Sequence, residues 1–381
     1  MSAPAAVVGA RDRLKRWLTH DAYPLWWTRG ADQRHGGFFD RLNLDGSPVI
    51  GPKRLRVAAR QVWAYAQARK LGWGGPSPDA VRHGLRFLAA RHRRPDGLYR
   101  ALVADNGEAL EEHADLYDQA FVLLAFAAGA QTLGSDVLGG EAARFRQRLE
   151  AFIDPAGGFA ESPGQRAPLL ANPNMHLFEA FLAWSEVSID PAWLRLADGQ
   201  ARLAITRLID PLTGALSEEF GAGWAAPEDA AARQVWPGHL FEWAWLLMRW
   251  GATAGRAEGL RAAVRLIEIG EKRGVDPARK VAIFEIDGEL EPKDRRARLW
   301  SQTERIKACA LAARVTGDAV LWSATANACE GLERFLAGLP TPGLWRDWMN
   351  LDGGFVEEPA PASSFYHIVS AIAELDTLVG A

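Results

Sequence analysis

Three of the chain's eight histidines open helix-like apolar runs. They are His176 in Asn172-Pro-Asn-Met-His-Leu-Phe-Glu179, His239 in Trp236-Pro-Gly-His-Leu-Phe-Glu242, and His367 in Ser364-Phe-Tyr-His-Ile-Val. Imidazole titrates near neutrality, with an ordinary pKa of about 6.5, so it suits general acid/base work. At a helix start the side chain faces a pocket while the helix body packs into the core. One such histidine is most often a core or capping residue satisfied by a hydrogen bond. Three in the same local setting point to a shared proton-handling site. Glu179 and Glu242 each follow a histidine by three residues, on nearly the same side of a helix, where a carboxylate holds or polarises an imidazole. Arg56 and Arg60 lie four apart on one helical face. Their planar forks suit an oxygen-rich ligand or a developing oxyanion; a solvated cationic face is the plainer alternative. Tyr117-Asp-Gln119 and Trp300-Ser-Gln-Thr-Glu304 add aromatic and hydrogen-bonding groups. Most of the sixteen tryptophans must fill core, and Trp300 is the best placed to serve as a ligand platform.

Elements that could bring these residues together are legible as alternation. Apolar residues recur at helical spacing over 55–71, 114–133, 175–187, 193–208, 239–250, 299–315 and 319–336. Between such segments stand short glycine-rich pieces: His35-Gly-Gly-Phe38 with Asp45-Gly46, Asp96-Gly-Leu-Tyr99 with Asn106-Gly107, Gly157-Gly-Phe159, Thr213-Gly-Ala-Leu216, Glu285-Ile-Asp-Gly288 and Asp352-Gly-Gly-Phe355. Asp-Gly and Asn-Gly favour tight turns, so each piece reads as a short loop or hairpin. The pieces recur often enough to leave room for two helices between neighbours, about six times over. The spacing predicts an all-α fold, an (α/α)6 barrel with short hairpin loops at one mouth, formed as a single catalytic domain over residues 1–381. In such a ring the starts of the inner helices converge, and the three histidines meet.

Composition narrows the partners. The chain has 381 residues, of which 48% are hydrophobic and 24% charged, and a formal net charge of −3. That is globular composition with no basic excess, so nucleic acid is not an expected partner. No apolar run approaches the roughly 18 residues of a membrane helix, and the N-terminal order, apolar then charged, is the reverse of a secretory signal. No membrane association and a cytoplasmic location are the expectations. Cys309 and Cys329 both sit inside Ala-rich helical patterns, which argues against a disulfide framework or a cysteine-built zinc site.

Taken together these motifs resemble the N-acylglucosamine 2-epimerase superfamily of sugar epimerases and isomerases. The resemblance runs from about Trp27 to Glu374 and is carried by Gly36-Gly-Phe38, Arg60-Gln-Val-Trp-Ala-Tyr65, Tyr117-Asp118, Asn172 through Glu179, Pro237-Gly-His239 with Glu242, Trp300 with Gln302 and Glu304, and Tyr366-His367. The family fold is an (α/α)6 barrel. The resemblance implies metal-independent proton transfer beside a sugar carbonyl, with no cofactor. It casts His239 and His367 as the acid/base pair, His176 in ring opening or in orienting the sugar, Arg60 against oxygens near C1 and C2, and Glu242 as the group that holds His239. Asn172, Glu179, Tyr117, Trp300 and Glu304 would line the pocket; Arg56, a departure from the family pattern with Lys53 and Arg54 nearby, is left to contact the substrate, such as a phosphate on it, or to face solvent. Family members are often dimers, so a homodimer is one expected assembly.

The same enediolate leads either to a 2-epimer or, by protonation at C1, to a ketose. Where the acylglucosamine epimerases often read aromatic-Leu-Gln before the counterpart of Arg60, this chain reads Arg56-Val-Ala58. That difference, with the sequences around His239 and His367, favours D-mannose/D-fructose interconversion over N-acyl-D-glucosamine 2-epimerisation. Three rivals remain in view. An inverting glycosidase of the same barrel class would use paired carboxylates such as Glu242 and Glu304, and a sugar-binding module would need no titratable pair. A metal enzyme would draw on the histidines, although no two share a metal-binding spacing.

Overall fold

The computed structural model describes residues 2–380. Its long helices come in six pairs. The outer members are α1 (Ala5–Trp17), α3 (Ser77–Phe87), α5 (Asp136–Leu149), α7 (Ala192–Leu203), α9 (Ala257–Arg273) and α11 (Ala319–Leu336). The inner members are α2 (Leu55–Ala68), α4 (Leu116–Leu133), α6 (Ala171–Val187), α8 (Pro237–Ala254), α10 (Leu299–Thr316) and α12 (Ser363–Gly380). Consecutive inner helices pack side by side, and α12 returns to α2 to close the ring.

Residue pattern sorts the two layers. The outer helices α5 and α9 carry charge on one face and bury only a stripe, Ala142, Phe145 and Leu149 in α5, as an amphipathic surface helix should. The inner helices are covered on all sides; α10 buries a continuous run from Leu299 to Ala310, charged residues included. Glycines in the left-handed conformation end α4, α8 and α10 at Gly134, Gly255 and Gly317, where a side chain would be strained. The chain beyond α1 continues through widened helical turns to Gly30, which carries Trp26 to the ring's closure. There Trp26 stacks on Trp345 at 4.7 Å between centroids, and Trp345 stacks on Phe365 at 5.6 Å. Each such pair adds about 0.5–1.5 kcal/mol beyond its burial. Pairing of Arg41–Leu42 with Ala360–Pro361 seals the same seam.

The glycine-rich pieces all precede inner helices, so they gather at one mouth. Single bridges close them, Ala31 to Phe38, Arg93 to Tyr99, Ile153 to Phe159, Ile209 to Leu216 and Met349 to Phe355. In several the aspartate accepts the backbone N–H two residues on, as Asp96 does from Leu98 at 3.1 Å and Asp352 from Gly354 at 2.9 Å. A second repeated device ties hairpin to helix. The Gln119 amide both accepts from Tyr99 N–H and donates to its carbonyl, each at 2.9 Å. Asn174 does the same for Phe159 at 2.9 and 2.8 Å, and Gln302 for Ala282 at 2.8 and 2.9 Å. A buried amide thus satisfies strand groups that no neighbouring strand reaches.

Among the described residues, no helix is long and apolar enough to cross a membrane. Cys309 and Cys329 are buried free thiols.

Candidate active site

The six inner helices start at the mouth, so the positive ends of their dipoles face a common cavity of about 420 Å³. Its walls include Arg56, Arg60, Tyr117, Asn172, His176, His239, Glu242, Trp300 and His367. All three histidines therefore meet, as their shared position at helix starts predicts. His239 sits in the first turn of α8, His367 in the second turn of α12 and His176 in the second turn of α6.

Each histidine has a carboxylate beside Nδ1, and the carboxylates differ in origin. His239 Nδ1 is 2.8 Å from Glu218 Oε2, His367 Nδ1 is 2.8 Å from Glu304 Oε1, and His176 Nδ1 is 3.4 Å from Glu179 Oε2. In the neutral tautomer Nδ1–H donates to the carboxylate and Nε2 keeps its lone pair. Burial and the positive charges of Arg60 and Lys307 hold the His367 pKa well below its ordinary value. Burial brings His176 down to about 4 against the opposing pull of Glu179. Both are therefore neutral at pH 7 and available to accept a proton.

Two expectations need correction. Glu242 does not hold His239. The histidine lies too near the helix start for a residue one turn inward to reach its ring, and Glu218, on the loop before Glu219–Phe220, takes that place. Glu179 and Glu304 do not line the mouth cavity. They stand behind His176 and His367, Glu179 facing a second cavity of about 510 Å³ at the other end of the barrel. Glu179 also accepts from Tyr366 Oη, and these hydrogen bonds, with Lys307, lower its pKa to about 2 despite the cost of burial.

Glu218 and Lys307 are the functional neighbours that helical spacing alone did not reveal. Lys307 Nζ lies 2.6 Å from Glu304 Oε2, both fully buried and off the axis of a hydrogen bond. It also lies 3.9 Å from the centre of the Trp245 ring. Its charge lies close to Glu304, Glu242 and Glu179, and these acids raise its own pKa against the cost of burial. Two sets of ligand-type atoms gather within 4.8 Å here, His176–Glu179–Glu242 and Glu242–Glu304–His367. The Lys307 ammonium already supplies a cation beside them, and Lys53 does so for Asp32, His35 and Asp105. No metal-ligand set is assigned.

The cationic wall divides in the same way. Arg56 pairs with Asp118 at 3.2 Å, Arg54 with Asp40, and Arg298 with Asp347 at 2.5 Å. Arg60, 5% exposed, has no carboxylate partner among the described residues. It donates to Tyr117 Oη at 2.7 Å and packs over Phe121 at 4.2 Å. Trp300 lies between the two outer histidines, its ring centre 4.9 Å from that of His239 and 5.9 Å from that of His367. Only glycine fits at 238, since a Cβ there would come within 2.3 Å of the Trp300 ring. Asn172 Oδ1 is buried without a protein partner, which leaves it an open acceptor at the cavity wall.

Imidazoles backed by carboxylates, an unpaired guanidinium and an aromatic floor at the mouth of an (α/α)6 barrel define the class: a sugar isomerase or epimerase. The comparisons with known proteins agree. Residues 37–371 match the family model for N-acylglucosamine 2-epimerase, and the chain belongs to that family. It is 44% identical to a protein of Rhizobium meliloti (strain 1021) named mannose-6-phosphate isomerase, over 95% of this chain and 96% of that one. It is 30% identical to the D-mannose isomerase of Thermobifida fusca over 81% of each chain. A crystal structure of D-mannose isomerase superposes with a TM-score of 0.88 at 21% identity, over 98% of this chain and 99% of the other.

Proposed function

We propose that this sugar isomerase interconverts D-mannose and D-fructose through an enediolate, with His239 and His367 as the proton-transferring pair. The observation that carries the reading is the pair of 2.8 Å Nδ1–carboxylate contacts, which leave both Nε2 atoms free at one cavity. A hydrogen beside a carbonyl is weakly acidic, so removing it needs a positioned base and a stabilised oxyanion. One imidazole takes the C2 proton. The Arg60 guanidinium and Tyr117 hydroxyl meet the charge that develops on the oxygens, aided by the helix starts. His176 assists ring opening, Trp300 supports the C–H face of the sugar, and Asn172 and Arg56 orient hydroxyls. A pair that returns the proton at C1 gives the ketose without metal or cofactor.

Mannose 6-phosphate is a second substrate reading. It is favoured by the name of the 44% identical relative and by Arg54, Arg56 and Arg298 at the cavity wall. Against it, all three arginines are already paired with aspartates. Ketose production from mannose, mannose 6-phosphate and N-acetylmannosamine, measured side by side, separates these readings. Free mannose as the preferred substrate by kcat/KM is expected. Preference for the phosphorylated sugar selects the second reading, and N-acetylglucosamine appearing from N-acetylmannosamine without any ketose overturns both.

A further inference from the structure

Most acids around the pocket are engaged by protein groups. Glu218 and Glu304 accept from His239 and His367, Glu179 from Tyr366, and Asp118 from Arg56. Glu242 lines the mouth cavity, is 1% exposed, and among the described residues is the one acid with both buried oxygens unpartnered. It stands between two of the histidines. A carboxyl oxygen of Glu242 lies within 4.8 Å of a His176 nitrogen, and one lies within 4.8 Å of a His367 nitrogen. Burial, with Glu304 and Glu179 close by, pushes its pKa well above the usual carboxylate range against the pull of Lys307 and Arg60, which favours the protonated acid. A protonated carboxyl donates from one oxygen and accepts at the other.

Converting an aldose to a ketose needs two proton movements. Carbon must lose a proton at C2 and gain one at C1, while oxygen must gain one at O1 and lose one at O2. Epimerisation needs only reprotonation of C2. We propose that Glu242 carries the proton from O2 to O1 of the bound sugar and so commits the enediol to the ketose. This assignment rests on the isomerase reading above.

The steps balance. A histidine removes the C2 proton, the C2–H pair becomes the C1=C2 bond, and the C1=O1 π pair moves to O1, which takes the proton of Glu242. The resulting carboxylate removes the O2 proton, whose bonding pair forms C2=O2. The C1=C2 pair then takes the proton from the histidinium at C1. Glu242 ends as the acid and histidine as the neutral base.

The test measures two rates at once in D2O by proton NMR: loss of the C2 hydrogen signal from mannose, and appearance of fructose. With Glu242→Gln, which keeps shape and neutrality but carries no transferable acid proton, ketose formation is expected to fall at least ~100-fold. C2 exchange is expected to fall about tenfold or less, because an amide N–H still supports the enediolate. Equal losses, or ketose formation close to wild type, would overturn the proposal. Glu242→Asp provides a second reading through rank order. A proton carrier places Asp above Gln in ketose formation, whereas a space-filling role places Gln above Asp and overturns it. Wild-type protein that exchanges C2 without forming ketose removes the isomerase reading itself, and that outcome is visible before any variant is made.

Discussion

The two sides of the pocket hold their histidines differently. His367 leans on Glu304, which is buried inside the barrel wall with Lys307 beside it, at 2.8 and 2.6 Å respectively. His239 leans on Glu218, a loop residue 6% exposed, held by backbone pairing between Glu218 N–H and Gln234 O at 3.0 Å. Both contacts are short, so both fix a tautomer. Only the first belongs to a wider charge network, with a buried lysine against its carboxylate. The His367 arm is thus part of the fold's own stability, and the His239 arm is an attachment built by the hairpins.

The largest expected effect removes the proton carriers themselves. His239→Asn and His367→Asn are each expected to lower kcat for ketose formation by about 10²–10⁴, with sugar binding largely retained in titration calorimetry. The carboxylates behind them should separate the two arms. Glu304→Gln leaves Lys307 buried without its charge partner and should cost about 3–5 kcal/mol in chemical denaturation. Glu218→Gln strands no buried cation and should cost less, about 1 kcal/mol for one weakened buried hydrogen bond, yet still lower kcat because the imidazole loses its tautomer lock. Equal stability losses from the two substitutions would erase the contrast. A smaller effect tests the aromatic floor: Gly238→Ala drives a methyl into the Trp300 ring and should cost about 1–3 kcal/mol by overpacking, with KM raised more than kcat is lowered.

The smallest effect is a pH dependence at the rim. Burial, with Asp115 beside it, raises the Glu161 pKa to about 8. Between its unfolded value, about 4.5, and pH 8 the folded state holds a proton that the unfolded state has released. Stability from this group is therefore present at low pH and lost as pH rises through that window. Relative to Glu161→Gln, wild-type protein should lose about 1–2 kcal/mol between pH 5 and pH 8, allowing for solvent screening. Parallel melting curves for the two proteins across that range would remove the assignment.

The ring was readable because its punctuation is local. Asp-Gly and Gly-Gly turns at fixed distance from Phe or Tyr mark the hairpins, and helices such as 299–315 and 319–336 were placed within a residue of their ends. Helices α3, α5 and α9 left weaker traces because their arginines and glutamates dilute the apolar stripe. Cavity residues at helix starts were legible from type and position. What lay behind them was not. Glu179 does pair with His176 three residues earlier, but the same spacing fails for Glu242 because His239 points off the helix end toward a loop. Nothing local distinguishes Glu218 from Glu219; only the pairing of Leu170 with Glu219 and of Gln234 with Asp287 puts Glu218 against the histidine.

The most direct test of the account follows mannose in D2O by proton NMR with wild-type protein and with His239→Asn and His367→Asn alongside. Fructose appearing with wild type, together with deuterium at C2 of the recovered mannose, and both lost in the variants, is the expected result. Fructose formation that survives in both variants would contradict the assignment of proton transfer to these two histidines.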